Sequence, residues 1–232
     1  DQLLGAQNDQ LRKINITKLE SVVYLNKGDR FEMKDLPLAA QLSPVFGISI
    51  SDFDGDGYED VFLAQNFFGT RPSFPRLDAG RGLLLKGLGN GDFRPLSSSE
   101  SGLDITGDQR GAAFSDYNSD GKVDLLVGQN NGQSKLYKNR NAKRGLIIHL
   151  KGLKNNPKAI GSKIQLVSMV KKGPIREIKG GSGYRSQDSA FQILPLSDPS
   201  LNRVRVVWPN GKVFETSISP DSKIIKIEEP AK

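Results

Sequence analysis

The sequence lacks most of the side chains that nucleophilic catalysis and tight transition-metal binding need. Its 232 residues contain no cysteine, which excludes disulfides and thiolate metal sites. A single histidine, His149, lies in an apolar run, where it cannot by itself form a zinc site or a Ser-His-Asp triad, and we interpret it as structural. No apolar stretch approaches the roughly 18 residues of a membrane helix. We therefore expect neither an enzyme nor a protein that inserts into a membrane.

Helical patterns are also scarce, and short β-rich runs take their place. The 25 glycines and 12 prolines, together with Asn and Asp, separate most of these runs, which is typical of an all-β chain. The predicted strands are 21–25, 61–64, 83–86, 125–128, 146–150, 163–170, 204–208 and 224–227.

The net charge of +7 is unevenly distributed along the chain. Residues 1–139 hold 15 basic and 19 acidic side chains, a net charge of −4, whereas residues 140–232 hold 18 and 7, a net charge of +11. This break predicts two domains, 1–141 and 142–232. In the second domain, Val204, Val206 and Trp208 alternate with Arg205 and Val207, as in the half-buried strand of a small β-sandwich or barrel.

Three interpretations of the positive charge in the second domain stay open. The lysines and arginines keep the domain soluble, dock it onto an acidic partner, or bind a polyanionic glycan. Aromatic residues rarely alternate with the basic ones, so we predict no nucleic-acid binding.

The first domain contains an internal repeat. The decapeptides "SDFDGDGYED" (51–60) and "SDYNSDGKVD" (115–124) begin 64 residues apart, and each leads into an apolar run. A propeller blade takes roughly 40–50 residues, and the irregular stretch 67–82 accounts for the excess. We therefore predict a partial β-propeller of about two blades, the C-terminal part of a larger propeller, since such rings close with about 4–8 blades. Self-association that completes the ring is the less favoured alternative.

Each acidic decapeptide has the spacing of a calcium loop. Side chains at positions 1, 3 and 5 converge as the loop curls, and Gly57 permits a turn with positive φ. Water completes the coordination shell, and this set of oxygen ligands suits Ca²⁺ better than Mg²⁺. An EF-hand is excluded because Leu63 and Val127 stand where its position-12 Glu belongs. The second loop has one amide in place of a carboxylate, so we predict a weaker site there. The alternative is a solvated turn without metal. The predicted ligands of the two Ca²⁺ sites are Asp52, Asp54, Asp56, the Tyr58 carbonyl and Asp60, and Asp116, Asn118, Asp120, the Lys122 carbonyl and Asp124.

The two halves resemble known families. The motif D-x-[DN]-x-D-G-x-x-D before an apolar strand is similar to the calcium loop of FG-GAP/VCBS-type propeller repeats, and residues 110–139 resemble the last blade of the cartilage acidic protein-like group. In that group an ASPIC/UnbV domain follows the propeller, and "GSGYRSQ" (181–187) and "VVWPNGK" (206–212) resemble its segments. The run "FQILPL" (191–196) departs from the family's pattern.

These features favour a binding protein over an enzyme. The 67–82 stretch carries the candidate ligand-binding residues Phe67, Phe68, Arg71, Phe74 and Arg76, and its alternative role is packing over the blade junction. We expect a calcium-binding, non-catalytic adhesion or binding protein, located outside the cell, in the periplasm or on the cell surface, with a protein or glycan ligand. The alternative is an accessory or glycan-binding part of a carbohydrate-active enzyme whose catalytic region lies upstream.

Overall fold

A computed structural model describes residues 14–219 and 221–230, and the chain divides into two compact units, Asp1–Leu36 and Pro37–Lys232. The described part of the first unit is an antiparallel hairpin of β1 (Val22–Asn26) and β2 (Phe31–Asp35). Its turn contains Gly28 at φ +94°. This turn connects β1 to Phe31, the first residue of β2.

The second unit begins with two small antiparallel sheets. The first is the meander β3 (Val45–Ser51), β4 (Asp60–Gln65), β5 (Leu83–Gly87) and β6 (Phe93–Pro95). A short helix, α1 (Ser98–Ser101), follows, and the second sheet is β7 (Asp108–Ser115), β8 (Asp124–Asn130) and β9 (Gly132–Tyr137). Both sheets have the sequential strand order of propeller blades.

The two blade sheets share one buried core. Phe62 and Ala64 of β4 pack in the same apolar cluster as Leu125 and Val127 of β8. Gly47 lets the first strands of the two sheets approach closely, because a Cβ atom there would lie 2.6 Å from the carbonyl oxygen of Arg110. This position needs a residue without a side chain.

The remaining strands form a β-sandwich. One sheet has the order β13–β10–β16, with β10 (Gly145–Lys151), β13 (Gln192–Pro195) and β16 (Ile224–Glu228). The other has the order β12–β11–β14–β15, with β11 (Lys163–Val167), β12 (Lys172–Glu177), β14 (Arg203–Val207) and β15 (Val213–Ser217). The sandwich core contains Ile148, Ile164, Val206 and the almost fully buried Trp208. The opposite face of the β10 sheet contributes Ile147 to the core of the blade sheets.

The predicted all-β class, with a partial propeller and a β-sandwich, is confirmed. All eight predicted runs lie on strands, and the two alternatives left open for the second domain resolve to a sandwich. The largest misplacement of a strand end is in the run predicted over 163–170, where the strand ends at Val167. It ends there because Ser168 closes a tight turn, with its N–H bonded to the carbonyl of Lys171 at 2.8 Å. Among the described residues no helix is long and apolar enough to cross a membrane.

Candidate metal centres in two acidic loops

The two acidic decapeptides occupy equivalent places in the two blade sheets. Each forms the connection between the first two strands of its sheet, and the ladders close at the pairs Ser51–Asp60 and Ser115–Asp124. We call residues 52–60 the first acidic loop and residues 116–124 the second acidic loop.

The first acidic loop curls around the side chain of Asp52. One carboxylate oxygen of Asp52 accepts the N–H groups of Gly55 at 2.7 Å and Asp56 at 3.1 Å, and the other accepts that of Gly57 at 2.8 Å. Gly57 has φ +101°, which L side chains rarely adopt. These hydrogen bonds fix the curled loop conformation that was predicted from the alternating spacing of the acidic residues.

The last residue of the loop, Asp60, is almost completely buried. Its two carboxylate oxygens accept the N–H groups of Phe53 and Gly87, both at 2.8 Å. Burial raises the pKa of Asp60 to about 7, the two amides oppose this change, and the carboxylates of Asp54 and Asp52 add to it. Burial also raises the pKa of Asp52. Both carboxyl groups therefore lie where a cation would favour their ionised form.

Three carboxylates of the first loop converge. One oxygen each from Asp52, Asp54 and Asp60 lies within 4.8 Å of the others, and in the part of the chain that the structure describes no other three acidic or histidine side chains meet so closely. Oxygens that share a calcium ion at 2.3–2.6 Å are at most about 5 Å apart. A carboxylate accepts about four hydrogen bonds, so the backbone bonds leave lone pairs for a metal. The residues present therefore fit Ca²⁺.

The other predicted ligands of the first loop lie at its rim. Asp56 accepts the N–H of Tyr58 at 2.9 Å, which brings Tyr58 into the last turn of the loop. The side chain of Tyr58 is half exposed and packs over Gly89, where a Cβ would meet the ring at 2.3 Å.

The second acidic loop repeats the same pattern of hydrogen bonds. Asp116 accepts the N–H groups of Asp120 at 2.9 Å and Gly121 at 2.7 Å, and Asp120 accepts that of Lys122 at 3.1 Å. Asp124 takes the place of Asp60, with the N–H groups of Tyr117 and Asn139 as donors, and burial raises its pKa. Asn118 stands where the first loop has Asp54, so the second loop has one fewer carboxylate among the same positions.

Sequence reasoning missed two lysines that approach these loops. Lys86, on β5, donates its ammonium to the carboxylates of both Asp54 and Asp56, the second at 2.7 Å. Lys138, just after β9, approaches Asp120 at 3.5 Å. Each lysine directly precedes the residue whose amide reaches the loop's last aspartate, an equivalence that only the structure reveals.

The five candidate ligand-binding residues make separate contacts, and their role in ligand binding stays a prediction. Phe67 packs against Phe46 near the blade junction, with ring centroids 5.9 Å apart, and the guanidinium of Arg110 lies 3.9 Å from the centroid of Phe46. Phe68 and Arg76 form a separate cation–π pair at 5.0 Å. The other two candidates, Arg71 and Phe74, are exposed.

Comparisons with known families match one region of the chain in the blade sheets and another in the β-sandwich. A model of the FG-GAP-like repeat matches residues 52–127, which contain both acidic loops, and a model described as ASPIC and UnbV matches residues 152–232. The chain therefore combines a region that matches FG-GAP-like repeats with a C-terminal region that matches ASPIC and UnbV. The predicted boundary at residues 141 and 142 stays a prediction.

The chain as a whole is similar to cartilage acidic protein 1. It is 27% identical to the Xenopus tropicalis protein over 182 residues, 76% of this chain and 27% of that protein. It is 25% identical to the Mus musculus protein over 196 residues (83% and 30%) and 24% identical to the Homo sapiens protein over 194 residues (82% and 29%). The chain thus spans less than a third of the length of these relatives, and the resemblance predicted from the motifs is confirmed.

Proposed function

We propose that this chain is a calcium-binding extracellular binding or adhesion module in which Ca²⁺ stabilises both acidic loops. The observation that carries the proposal is the convergence of Asp52, Asp54 and Asp60 within 4.8 Å. The matching hydrogen-bond ladder at Asp116–Asp124 supports a second site of the same kind.

The role of the ion is structural. It neutralises carboxylates that the fold holds close together, and its binding free energy adds to the free energy of unfolding. The conformation of the first loop also affects the core of the blade sheets. Phe53 of this loop is buried there, with its ring centroid 6.0 Å from that of Phe114. Ca²⁺ at this loop therefore stabilises the packing between the two sheets.

Both loops also touch the segment that leads into the sandwich. The N–H of Lys143 bonds to the carbonyl of Asp54 at 3.1 Å, and the N–H of Gly145 bonds to the carbonyl of Gly121 at 2.8 Å. Metal binding at either loop thus stabilises the start of β10.

The test is calorimetric titration together with thermal unfolding in Ca²⁺ and in EGTA. We expect two bound ions per chain and a higher midpoint in Ca²⁺, with Asp54→Ala and Asp120→Ala each losing about one ion. Asp29→Asn, an exposed aspartate in the β1–β2 turn, is the matched control and retains both ions. Equal midpoints in both buffers, without bound calcium by mass spectrometry, contradict the proposal.

The binding part of the proposal rests on a cleft of about 660 Å³ beside the first loop. Tyr58, Leu88 and Phe93 line one side, and Lys171 and Pro195 of the sandwich line the other. Apolar and aromatic walls with a few charged groups are typical of ligand clefts. A glycan array and a protein pull-down identify the ligand. A reducing-sugar assay on any bound glycan tests the non-catalytic role, and cleavage of that glycan contradicts it.

We place the protein outside the cytoplasm, in the extracellular space, the periplasm or on the cell surface. Calcium modules of extracellular proteins bind the ion with Kd values of roughly 10⁻⁴–10⁻³ M. Weak binding in this range is expected for loops whose ligands are Asp and Asn and which have a lysine ammonium nearby. A measured Kd below about 10⁻⁵ M contradicts this assignment, because it matches the affinity of intracellular sensors and buffers.

A further inference from the structure

Lys86 brings a positive charge into the first acidic loop from a neighbouring strand. Its ammonium donates to Asp54 and Asp56, while the next residue on β5, Gly87, donates its N–H to Asp60. The lysine side chain is only 27% exposed, so the contact is partly shielded from water. One strand therefore supplies the first loop with both an amide and a cation.

The second loop has the corresponding lysine in a looser arrangement. Asn139 donates its N–H to Asp124, as Gly87 does to Asp60, and Lys138 precedes it. The ammonium of Lys138 approaches one carboxylate, that of Asp120, at 3.5 Å, and its side chain is 45% exposed. The amide of Asn118 offers no charge for it to neutralise.

The ammonium of Lys86 and a divalent ion need the same oxygens. Asp54 and Asp56 stand at positions 3 and 5 of the calcium spacing, and an ion held there lies within a few ångströms of the lysine nitrogen. Two cations at that distance repel each other strongly in a partly buried site. Entry of Ca²⁺ thus requires the lysine to leave its carboxylates.

We propose that Lys86 is a built-in counter-ion of the first acidic loop, which keeps the loop folded without metal and competes with Ca²⁺ for Asp54 and Asp56. This inference rests on the proposed calcium function. It makes the calcium affinity of the first loop lower than its four carboxylates alone provide, and it offsets the advantage over the second loop that ligand count predicts.

The test measures calcium affinity at each loop separately. In an Asp120→Ala background, which isolates the first loop, Lys86→Met is expected to tighten calcium binding at least about tenfold, because the competing charge is gone. Lys86→Arg keeps the charge and leaves the affinity within about threefold of the parent. In an Asp54→Ala background, Lys138→Met at the second loop has the smaller effect, less than about threefold.

A second readout does not depend on calcium. In EGTA, Lys86→Met lowers the thermal midpoint because the carboxylates lose their counter-ion, and Lys138→Met lowers it less. Lys86→Gln serves as the neutral replacement should Lys86→Met not fold. Unchanged affinity together with an unchanged midpoint in EGTA overturns the inference. If no variant binds calcium but the midpoint in EGTA still falls, the proposed calcium function fails and the counter-ion role of Lys86 stands without competition.

Discussion

The guanidinium of Arg176 forms a two-point ion pair with the carboxylate of Glu59, with Nε and the second terminal nitrogen 3.1 and 3.0 Å from its two oxygens. Arg176 is on β12 of the sandwich, whereas Glu59 directly precedes Asp60 of the first acidic loop. A further bond, at 3.1 Å, reaches the hydroxyl of Ser51, which directly precedes Asp52. The sandwich therefore contacts both ends of the first loop, and we expect the sandwich and the first blade sheet to stabilise each other.

Replacing this arginine is expected to destabilise the whole second unit. Arg176→Met leaves Glu59 without its partner in a partly buried place, which lowers the free energy of unfolding by about 2–3 kcal/mol, less than for a fully buried pair because Glu59 keeps some water contact. Urea denaturation measures the loss. Arg205→Met, which removes a more exposed ion pair with Glu215, is the control and costs less than about 1 kcal/mol.

A double-mutant cycle tests whether the pair itself carries the effect. Glu59→Gln combined with Arg176→Met should cost clearly less than the sum of the two single losses, because the second substitution no longer strands a charge. Strict additivity contradicts a direct coupling between these side chains.

The close approach of the blade strands gives a third prediction. Gly47→Ala places a Cβ 2.6 Å from the Arg110 carbonyl oxygen, a backbone atom that cannot rotate away. We expect a loss of about 1–3 kcal/mol in the free energy of unfolding as the two strands shift apart. Gly181→Ala is the matched control, since no atom lies within 4 Å of its added Cβ, and it should stay within about 0.5 kcal/mol of the parent.

Local patterns were sufficient for the parts of the fold that local residues determine. The acidic loops and the Val204–Val206 alternation were predictable because their conformations follow from short-range bonding and periodicity. Strands β3 and β7 were not, since "VFGISIS" and "DQRGAAFS" mix glycine and polar residues with apolar ones. Their strand character comes from pairing and from the close approach at Gly47.

Contacts distant in sequence explain what was missed at the site. Lys86 reaches Asp54 from 32 residues away, and Arg176 reaches Glu59 from 117 residues away. Neither partner is visible from the spacing within the loop. The repeat reveals Lys86 and Lys138 only once the amide bonds of Gly87 and Asn139 establish their equivalence.

The single histidine gives a pH-dependent contribution to stability. Burial lowers the pKa of His149, and the ammonium of its cross-strand partner Lys226 adds to this effect. The folded chain thus binds the proton less readily than the unfolded chain, so this contribution is fully present above about pH 6.5 and is lost as the pH falls below it. NMR titration of the one imidazole gives its pKa directly, and His149→Gln removes the effect. A pKa above that of an exposed histidine contradicts the prediction.

In the metal-free protein, ionisation of Asp60 gives the stability the opposite pH dependence to that given by His149. Its pKa is about 7 in the fold, above the usual 3.8, so the folded chain binds the proton more tightly than the unfolded chain. The metal-free stability contributed by this group is therefore greatest below about pH 4 and decreases as the pH rises to about 7. Calcium requires the ionised carboxylate, so its affinity for the first loop should increase over the same interval. Urea denaturation at pH 5 and pH 8 in EGTA, compared between the parent and Asp60→Asn, isolates the contribution. Asp29→Asn is the exposed control, and an identical pH dependence in the parent and Asp60→Asn contradicts the assignment.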